Sequence, residues 1–117
     1  MEKWYAIKIN NNTHKRIYVS AGCGRYGIPD YPDTLLPSKE PSLLNIEPHD
    51  YNNLRSSIEW ESIILRMEYD TLSIYFFDAD TIDANTWNEI KRGYKIIKRK
   101  DLSLDDLRQT NWTIDYP

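Results

Sequence analysis

Apolar and polar residues alternate at the start of the chain. In residues 4–9, WYAIKI, the alternation puts Ile7 and Ile9 on one face, which is the two-residue period of a half-buried β-strand. A polar cluster, NNNTHK, follows, and residues 16–21, RIYVSA, alternate again with Ile17 facing inward. Two alternating runs around an asparagine-rich turn predict a β-hairpin.

Glycine and proline dominate residues 22–42. This stretch holds three of the four glycines and four of the six prolines. Because a proline disfavours helix at the residue before it, the stretch predicts a long, ordered surface loop, with a short extended piece at residues 34–36. A loop of this length in a small domain is often functional. The segment LLNIEP after it predicts a third, short strand.

The hydrophobic period changes in the middle of the chain. In SSIEWESIILRM the apolar residues fall at helical spacing, and Ser56 with Glu59 fits a capping box, so a short helix is predicted near residues 58–67. The next apolar run, TLSIYFF, is apolar on both faces. It therefore predicts a strand in the centre of a sheet.

Helix and strand patterns alternate in the last third. NTWNEIKRGY predicts a short helix with Thr86 and Glu89 as a second capping box and Gly93 as its C-terminal stop. YKIIKRK predicts a strand with a basic outer face, and SLDDLRQTN predicts a third helix with Ser103 as its N-cap. WTIDY predicts the last strand.

These elements predict one α+β domain over residues 1–117, mostly antiparallel and sandwich-like, with two or three short helices on one face or end. A chain of this length can bury a core without disulfides or a metal. Besides the N-terminal hairpin, the predicted strands lie near residues 43–47, 71–77, 94–99 and 112–116. The predicted core residues are Ile74, Phe76, Trp87, Ile96, Trp112 and Ile114.

Composition narrows the class of function. Fifteen basic residues against eighteen acidic ones give a net charge of −3, which argues against a general nucleic-acid binder. The aromatic set, nine Tyr and four Trp against two Phe, suits half-buried positions or a binding face. No apolar run reaches membrane-spanning length. The single cysteine, Cys23, allows no internal disulfide and leaves the redox compartment open.

Acidic residues cluster where the central strand ends, and they partly match a calcium loop. Asp78, Asp80 and Glu89 occupy positions 1, 3 and 12 of an EF-hand. Position 5 is Ile82, which has no side-chain oxygen, and position 6 is Asp83, where the turn needs glycine. We therefore predict strand-end and helix-start roles for these acids, and no metal; a weaker cation site is the alternative.

A catalytic set would have to be assembled from dispersed residues such as His14, Cys23, His49 and Asp78. Nothing local joins either histidine to the cysteine, and two histidines with one cysteine give no usual zinc spacing. We therefore predict an unreactive cysteine in a loop or at a strand end. A small enzyme with a dispersed site remains the alternative from another functional class.

A basic stretch, KRGYKIIKRK, has two interpretations. It could be an anion-binding face for nucleic acid or an acidic glycan. It could also be the exposed face of a helix end and an edge strand, where cations suit the helix dipole and deter aggregation. We favour the second interpretation. The cations are Lys91, Arg92, Lys95, Lys98, Arg99 and Lys100.

The long loop supplies the candidate ligand-binding residues, Arg25, Tyr26 and Tyr31. Its tyrosines could stack on a sugar or hold a peptide, or they could pack the loop against the domain. The leading hypothesis is a non-enzymatic module that binds a protein or glycan partner, with no cofactor and no nucleic acid. A cytoplasmic immunity-type or inhibitor protein is a further alternative.

The second half resembles a known group. The pattern DTLS, a Trp-containing short helix, YKIIKRKDLSLDDL and a terminal NWTIDYP resembles that of small, uncharacterised secreted or lipoprotein-type proteins of Bacteroidetes. The resemblance covers roughly residues 17–117 and is strongest from Asp70 onward. It implies export and attachment to the cell envelope for a mature domain trimmed of its signal, and it implies no activity. If Met1 is the natural start, the expected location is cytoplasmic.

Overall fold

The computed structural model describes residues 3–23 and 27–117, which form seven β-strands and four short helices. This confirms the predicted α+β, sandwich-like class. In chain order the elements are β1 (Tyr5–Asn11), β2 (Ile17–Gly22), β3 (Leu44–Ile46), β4 (Tyr51–Ser56), α1 (Trp60–Leu65), β5 (Thr71–Asp78), α2 (Ala79–Ala84), α3 (Trp87–Gly93), β6 (Lys98–Ser103), α4 (Leu104–Gln109) and β7 (Thr113–Tyr116).

The strands form two sheets. The first has the order β4-β1-β7, with β1 antiparallel to β4 and parallel to β7. The second has the order β3-β2-β5-β6 and is antiparallel at each of its three pairings. The strand β5 lies between β2 and β6, as its unbroken apolar run predicted. Both of its faces are covered, so six consecutive residues, 72–77, are buried.

The predicted N-terminal hairpin is wrong, because β1 and β2 belong to different sheets. Asn11, which is fully buried at the end of β1, holds the chain in this crossing. Its amide nitrogen donates to the carbonyl oxygens of Lys15 at 2.7 Å, Ile46 at 3.2 Å and Glu47 at 3.2 Å. Its side-chain oxygen accepts from the hydroxyl of Thr13 at 2.7 Å. The asparagine-rich segment is therefore a corner between sheets.

The larger core lies between the two sheets. Alternate residues of β1 and β5 face each other across it, and α1 and α4 add apolar residues to it. Ring stacking of Phe76 on Tyr116, with centroids 4.8 Å apart, joins the central strand of one sheet to the last strand of the other. The fully buried members include Ile7, Ile9, Val19, Leu54, Ile64, Leu72, Ile74, Phe76 and Leu107.

A second, smaller core covers the other face of the four-stranded sheet. There Tyr75 and Phe77 of β5 pack against Ile82 and Ile90, and against Ile28 and Leu36 of the long loop. Side chains from α3 and the segment after it fix this loop. The indole nitrogen of Trp87 donates to the carbonyl of Pro37 at 2.7 Å. The predicted loop is therefore a cover for the sheet, and residues 34–36 are not a strand.

Several element boundaries differ from the prediction. The strand β4 and the helix α2 had no predicted counterpart. Ser56 ends β4 and does not cap a helix, since Glu59 is the N-cap residue of α1. The strand predicted at residues 94–99 begins only at Lys98, because Tyr94, with φ of 49°, adopts the left-handed conformation that ends α3 after Gly93.

The local helix signals and the predicted core residues are largely confirmed. Thr86 caps α3 by accepting from the backbone N–H of Glu89, but the predicted capping box is wrong, because the Glu89 carboxylate accepts from the Thr86 hydroxyl instead of the backbone N–H. Ser103 caps α4 in a reciprocal capping box with Asp106. Ile74, Phe76 and Ile114 are buried, whereas Trp87, Ile96 and Trp112 are half-buried against the two cores. In the ranges that the structure describes, no helix is long and apolar enough to cross a membrane.

One buried hydroxyl marks a weak point of the smaller core. Tyr75 is fully buried, and its hydroxyl has no hydrogen-bond partner among the described residues. Burial disfavours the phenolate and raises the pKa of Tyr75 to about 12. A raised pKa means that the neutral phenol stabilises the fold below the ordinary pKa of 10.0, and that this contribution is lost as the pH rises towards 12.

We expect Tyr75→Phe to leave the free energy of unfolding unchanged or to raise it by up to about 1 kcal/mol, because it removes a buried donor without a partner. The variant should also lose less stability than the wild type between neutral pH and about pH 11. Chemical denaturation at both pH values measures this. A loss of more than about 1 kcal/mol at neutral pH would show that the hydroxyl does have a partner.

Candidate functional site

The acidic residues at the end of β5 have structural roles. Asp78 caps α2 by accepting from the backbone N–H of Thr81 at 3.2 Å. Asp83 accepts hydrogen bonds from the hydroxyl of Tyr18 and from the guanidinium of Arg16. These two bonds, of which the one from Tyr18 has the larger effect, hold the pKa of Asp83 below its ordinary value. Among residues 3–23 and 27–117, no group of three or more His, Cys, Asp or Glu could hold a metal. The strand-end position predicted for Asp78 is confirmed, and Glu89 lies in the first turn of α3 as predicted. The helix-start role predicted for Asp83 is wrong, because Asp83 is the next-to-last residue of α2.

The structure brings the two histidines together, away from the cysteine. Nε2 of His49 lies 2.9 Å from Nδ1 of His14, and both side chains are exposed. Cys23 follows the far end of β2, a strand of six residues that spans about 20 Å. The thiol is therefore at the strand end, as predicted, and it forms no dyad with either imidazole.

The basic stretch KRGYKIIKRK lies at a helix end and on an edge strand, which agrees with the second interpretation. Lys91 and Arg92 lie in the last turn of α3, and β6 is an edge strand of the four-stranded sheet. Arg99 pairs with Asp101, with 3.2 Å between nitrogen and oxygen. Lys100 is partly buried, and burial lowers its pKa. The cations therefore lie partly in the last turn of α3 and partly on the edge strand β6, where Arg99 is already paired with an acid.

The structure describes one of the three loop residues proposed from the sequence. Arg25 and Tyr26 lie outside the described residues. Tyr31 is half-buried, and its ring packs edge-on against Tyr69 with centroids 6.2 Å apart. A ligand-binding role for these three residues stays a prediction.

The most distinctive concave surface is elsewhere. A groove of about 430 Å³ holds three of the four tryptophans together with two glutamates, and we call it the tryptophan groove. Its lining residues are Trp4, Tyr5, Ala6, Glu59, Trp60, Glu61 and Trp112. Aromatic faces beside carboxylates in one hollow are suited to binding a flat or cationic group.

Two of the tryptophans reach the groove from the starts of elements. Trp4 immediately precedes β1 and is 55% exposed. Trp60 is the first residue of α1 and is almost fully buried, and its indole nitrogen donates to the carbonyl of Leu54 at 3.2 Å. Trp60 therefore forms a fixed wall, whereas Trp4 offers accessible aromatic surface.

Trp112 enters the groove through an unusual turn. It and the preceding Asn111 have positive φ values of 58° and 53°, which a bulky residue rarely adopts. Hydrogen bonds on both sides hold the turn. The N–H of Trp112 donates to the carbonyl of Leu107 at 2.7 Å, and its carbonyl accepts from the N–H of Lys8 at 2.9 Å. The strained conformation is thus fixed between α4 and β1.

The two carboxylates of the groove differ in their surroundings. Glu61 pairs with Arg108 across 3.1 Å, which fixes its position. Glu59, the N-cap residue of α1, makes no capping hydrogen bond with its side chain among the described residues. The Glu59 side chain is exposed, and its carboxylate can therefore accept a hydrogen bond from a ligand. A cation already uses one aromatic face, since the ammonium of Lys3 lies 5.2 Å from the ring centroid of Tyr5.

Searches against protein-family models, curated proteins and solved structures find no match. The resemblance to Bacteroidetes envelope proteins therefore stays a prediction.

The sequence did not predict the tryptophan groove. Its residues come from three separate segments, around β1, around α1 and in the turn before β7. The one signal was the excess of Trp and Tyr over Phe, which indicated half-buried aromatic residues but not where they meet.

Proposed function

We propose that the chain is a non-enzymatic interaction module whose tryptophan groove binds a lysine- or arginine-bearing segment of a partner protein. The supporting observation is the presence of Trp4, Trp60 and Trp112 in one groove with Glu59 and Glu61. A cation over the face of an aromatic ring gains about 0.5–1 kcal/mol at an exposed site and about 2 kcal/mol when it is desolvated. Tryptophan is also the residue type most typical of binding hot spots.

Charge favours a cationic occupant over a neutral sugar. A sugar ring could stack on Trp4 or Trp112, but it would leave the exposed carboxylate of Glu59 without a cationic partner, since Glu61 is already paired with Arg108. An ammonium or guanidinium group can contact an indole face and donate a hydrogen bond to a carboxylate at the same time. A glycan is thus the rival outcome of the test.

The sequence resemblance supports a location for this module. Proteins of the similar Bacteroidetes group look exported, so we propose that the partner is met at the cell envelope. The upstream coding sequence tests this point separately, since an in-frame export signal is expected there.

We expect Trp112→Ala to weaken the binding of an end-blocked Gly-Gly-Lys-Gly-Gly peptide by about tenfold, the equivalent of 1.4 kcal/mol, because it removes one aromatic face. Glu59→Gln should lower the preference for this peptide over its norleucine counterpart. Calorimetry of both variants and of the wild type measures the effects, and Trp87→Phe, on the opposite side of the four-stranded sheet, is the matched control.

Equal binding of the lysine and norleucine peptides would contradict the proposal. So would tighter binding of a neutral oligosaccharide, such as a chitin fragment, that is lost in Trp112→Ala. The second result would assign the groove to a glycan.

A further inference from the structure

The two histidines of the chain form a pair that neither the fold nor the proposed function explains. Nδ1 of His14 and Nε2 of His49 are 2.9 Å apart, and the ring centroids are 4.7 Å apart at an interplanar angle of 75°. Both residues lie on exposed turns at the end of the sandwich where the chain crosses between sheets. A ligand from solvent can therefore reach both nitrogens.

The turns that carry the pair are bonded to each other. The N–H of His49 donates to the carbonyl of Thr13 at 3.2 Å, and the N–H of Asn11 donates to the carbonyl of Asp50 at 2.8 Å. His49 itself has φ of 56°, a left-handed conformation that non-glycine residues rarely adopt. The two imidazoles are thus held close by backbone contacts and not by their own contact alone.

We propose that His14 and His49 chelate a divalent transition-metal ion of the Cu²⁺ and Ni²⁺ class. With metal–nitrogen bonds of about 2.0–2.1 Å, a separation of 2.9 Å between the nitrogens corresponds to an angle of about 90° at the metal. That is the angle between neighbouring ligands in tetragonal or octahedral coordination, which Cu²⁺ and Ni²⁺ adopt, whereas tetrahedral Zn²⁺ requires a wider separation.

When the ion binds to two neutral imidazoles, the pair neither gains nor loses a proton. In a hydrogen-bonded pair of neutral imidazoles one of the two facing nitrogens carries a proton, and on binding this proton moves to the other nitrogen of the same ring, so that both facing lone pairs are free. One imidazole–imidazole hydrogen bond breaks, the two exposed rings turn so that their lone pairs converge on the ion, and two metal–nitrogen bonds form. Water completes the coordination, because no third His, Cys, Asp or Glu joins the pair among the described residues.

The test is a titration of tag-free protein with Ni²⁺ by calorimetry. We expect one ion per chain, and we expect His14→Gln and His49→Asn each to weaken binding at least about tenfold, since either substitution removes half of the chelate. Asparagine tolerates the left-handed conformation, so His49→Asn preserves the turn. With Cu²⁺, electron paramagnetic resonance should show two nitrogen ligands in the wild type and one in each variant.

Unchanged Ni²⁺ affinity in either variant would overturn the inference. Ion held by Cys23 or by surface carboxylates would give that result, because both substitutions leave those groups in place. Absence of stoichiometric Ni²⁺ and Cu²⁺ binding to the wild type would overturn it too. The lysine-peptide titration of the groove is unaffected by either outcome, because the histidine pair lies on different turns.

Discussion

Replacing Phe76 by alanine is expected to lower the free energy of unfolding by about 3–5 kcal/mol. Phe76 is fully buried in the central strand β5, lies opposite Val19 of β2, and stacks on Tyr116 of the other sheet. Truncation would remove apolar surface from the main core and leave a cavity where the two sheets meet, and both effects destabilise.

Urea denaturation of wild type and variant measures this loss. Leu65→Ala is the matched control, because Leu65 belongs to α1 yet is 59% exposed, and its truncation should change stability by less than about 0.5 kcal/mol. Similar losses in the two variants would contradict the assignment of Phe76 to the core between the sheets.

Asn11→Asp is expected to be as damaging, lowering the free energy of unfolding by about 3 kcal/mol or more. The amide nitrogen of Asn11 donates to three backbone carbonyls, those of Lys15, Ile46 and Glu47. A carboxylate at the same position would place a buried negative charge against three acceptor oxygens and would remove the donor that they share.

The neighbouring residue supplies the control for this substitution. Asn12 is exposed, so Asn12→Asp makes the same chemical change without burial and should shift stability by less than about 0.5 kcal/mol. Denaturation midpoints of the two variants decide the matter. If Asn11→Asp were as stable as Asn12→Asp, the corner between the sheets would not depend on the Asn11 amide.

Signals confined to a few neighbouring residues were enough to predict much of the fold. The apolar run of β5 predicted a central strand because burial on both faces excludes polar residues. Ser103 predicted the start of α4 because an N-cap bond joins residues only three apart. Both predictions depended on interactions within one segment of the chain.

The failures came from interactions between distant segments. The alternating runs of β1 and β2 looked like a hairpin, but Asn11 bonds to carbonyls more than thirty residues away and directs the chain into another sheet. The tryptophan groove and the histidine pair are also formed by tertiary contacts between residues that are distant in sequence. His14 and His49 are separated by 35 positions, and no local pattern brings them together.

The proposed function predicts which indole groups respond to a cationic ligand. The chain has four tryptophans, and an NMR spectrum that resolves one indole N–H signal from each can report on all of them. Trp4, Trp60 and Trp112 line the groove, whereas Trp87 packs in the smaller core and bonds to Pro37. Trp87 is therefore an internal control in the same sample.

The decisive titration adds the end-blocked lysine peptide and, separately, its norleucine counterpart. We predict that the lysine peptide shifts the indole signals of Trp4 and Trp112, with a smaller shift at the buried Trp60, while the Trp87 signal stays in place and the norleucine peptide has little effect. Equal movement of all four signals, or movement of Trp87 alone, would contradict binding in the tryptophan groove.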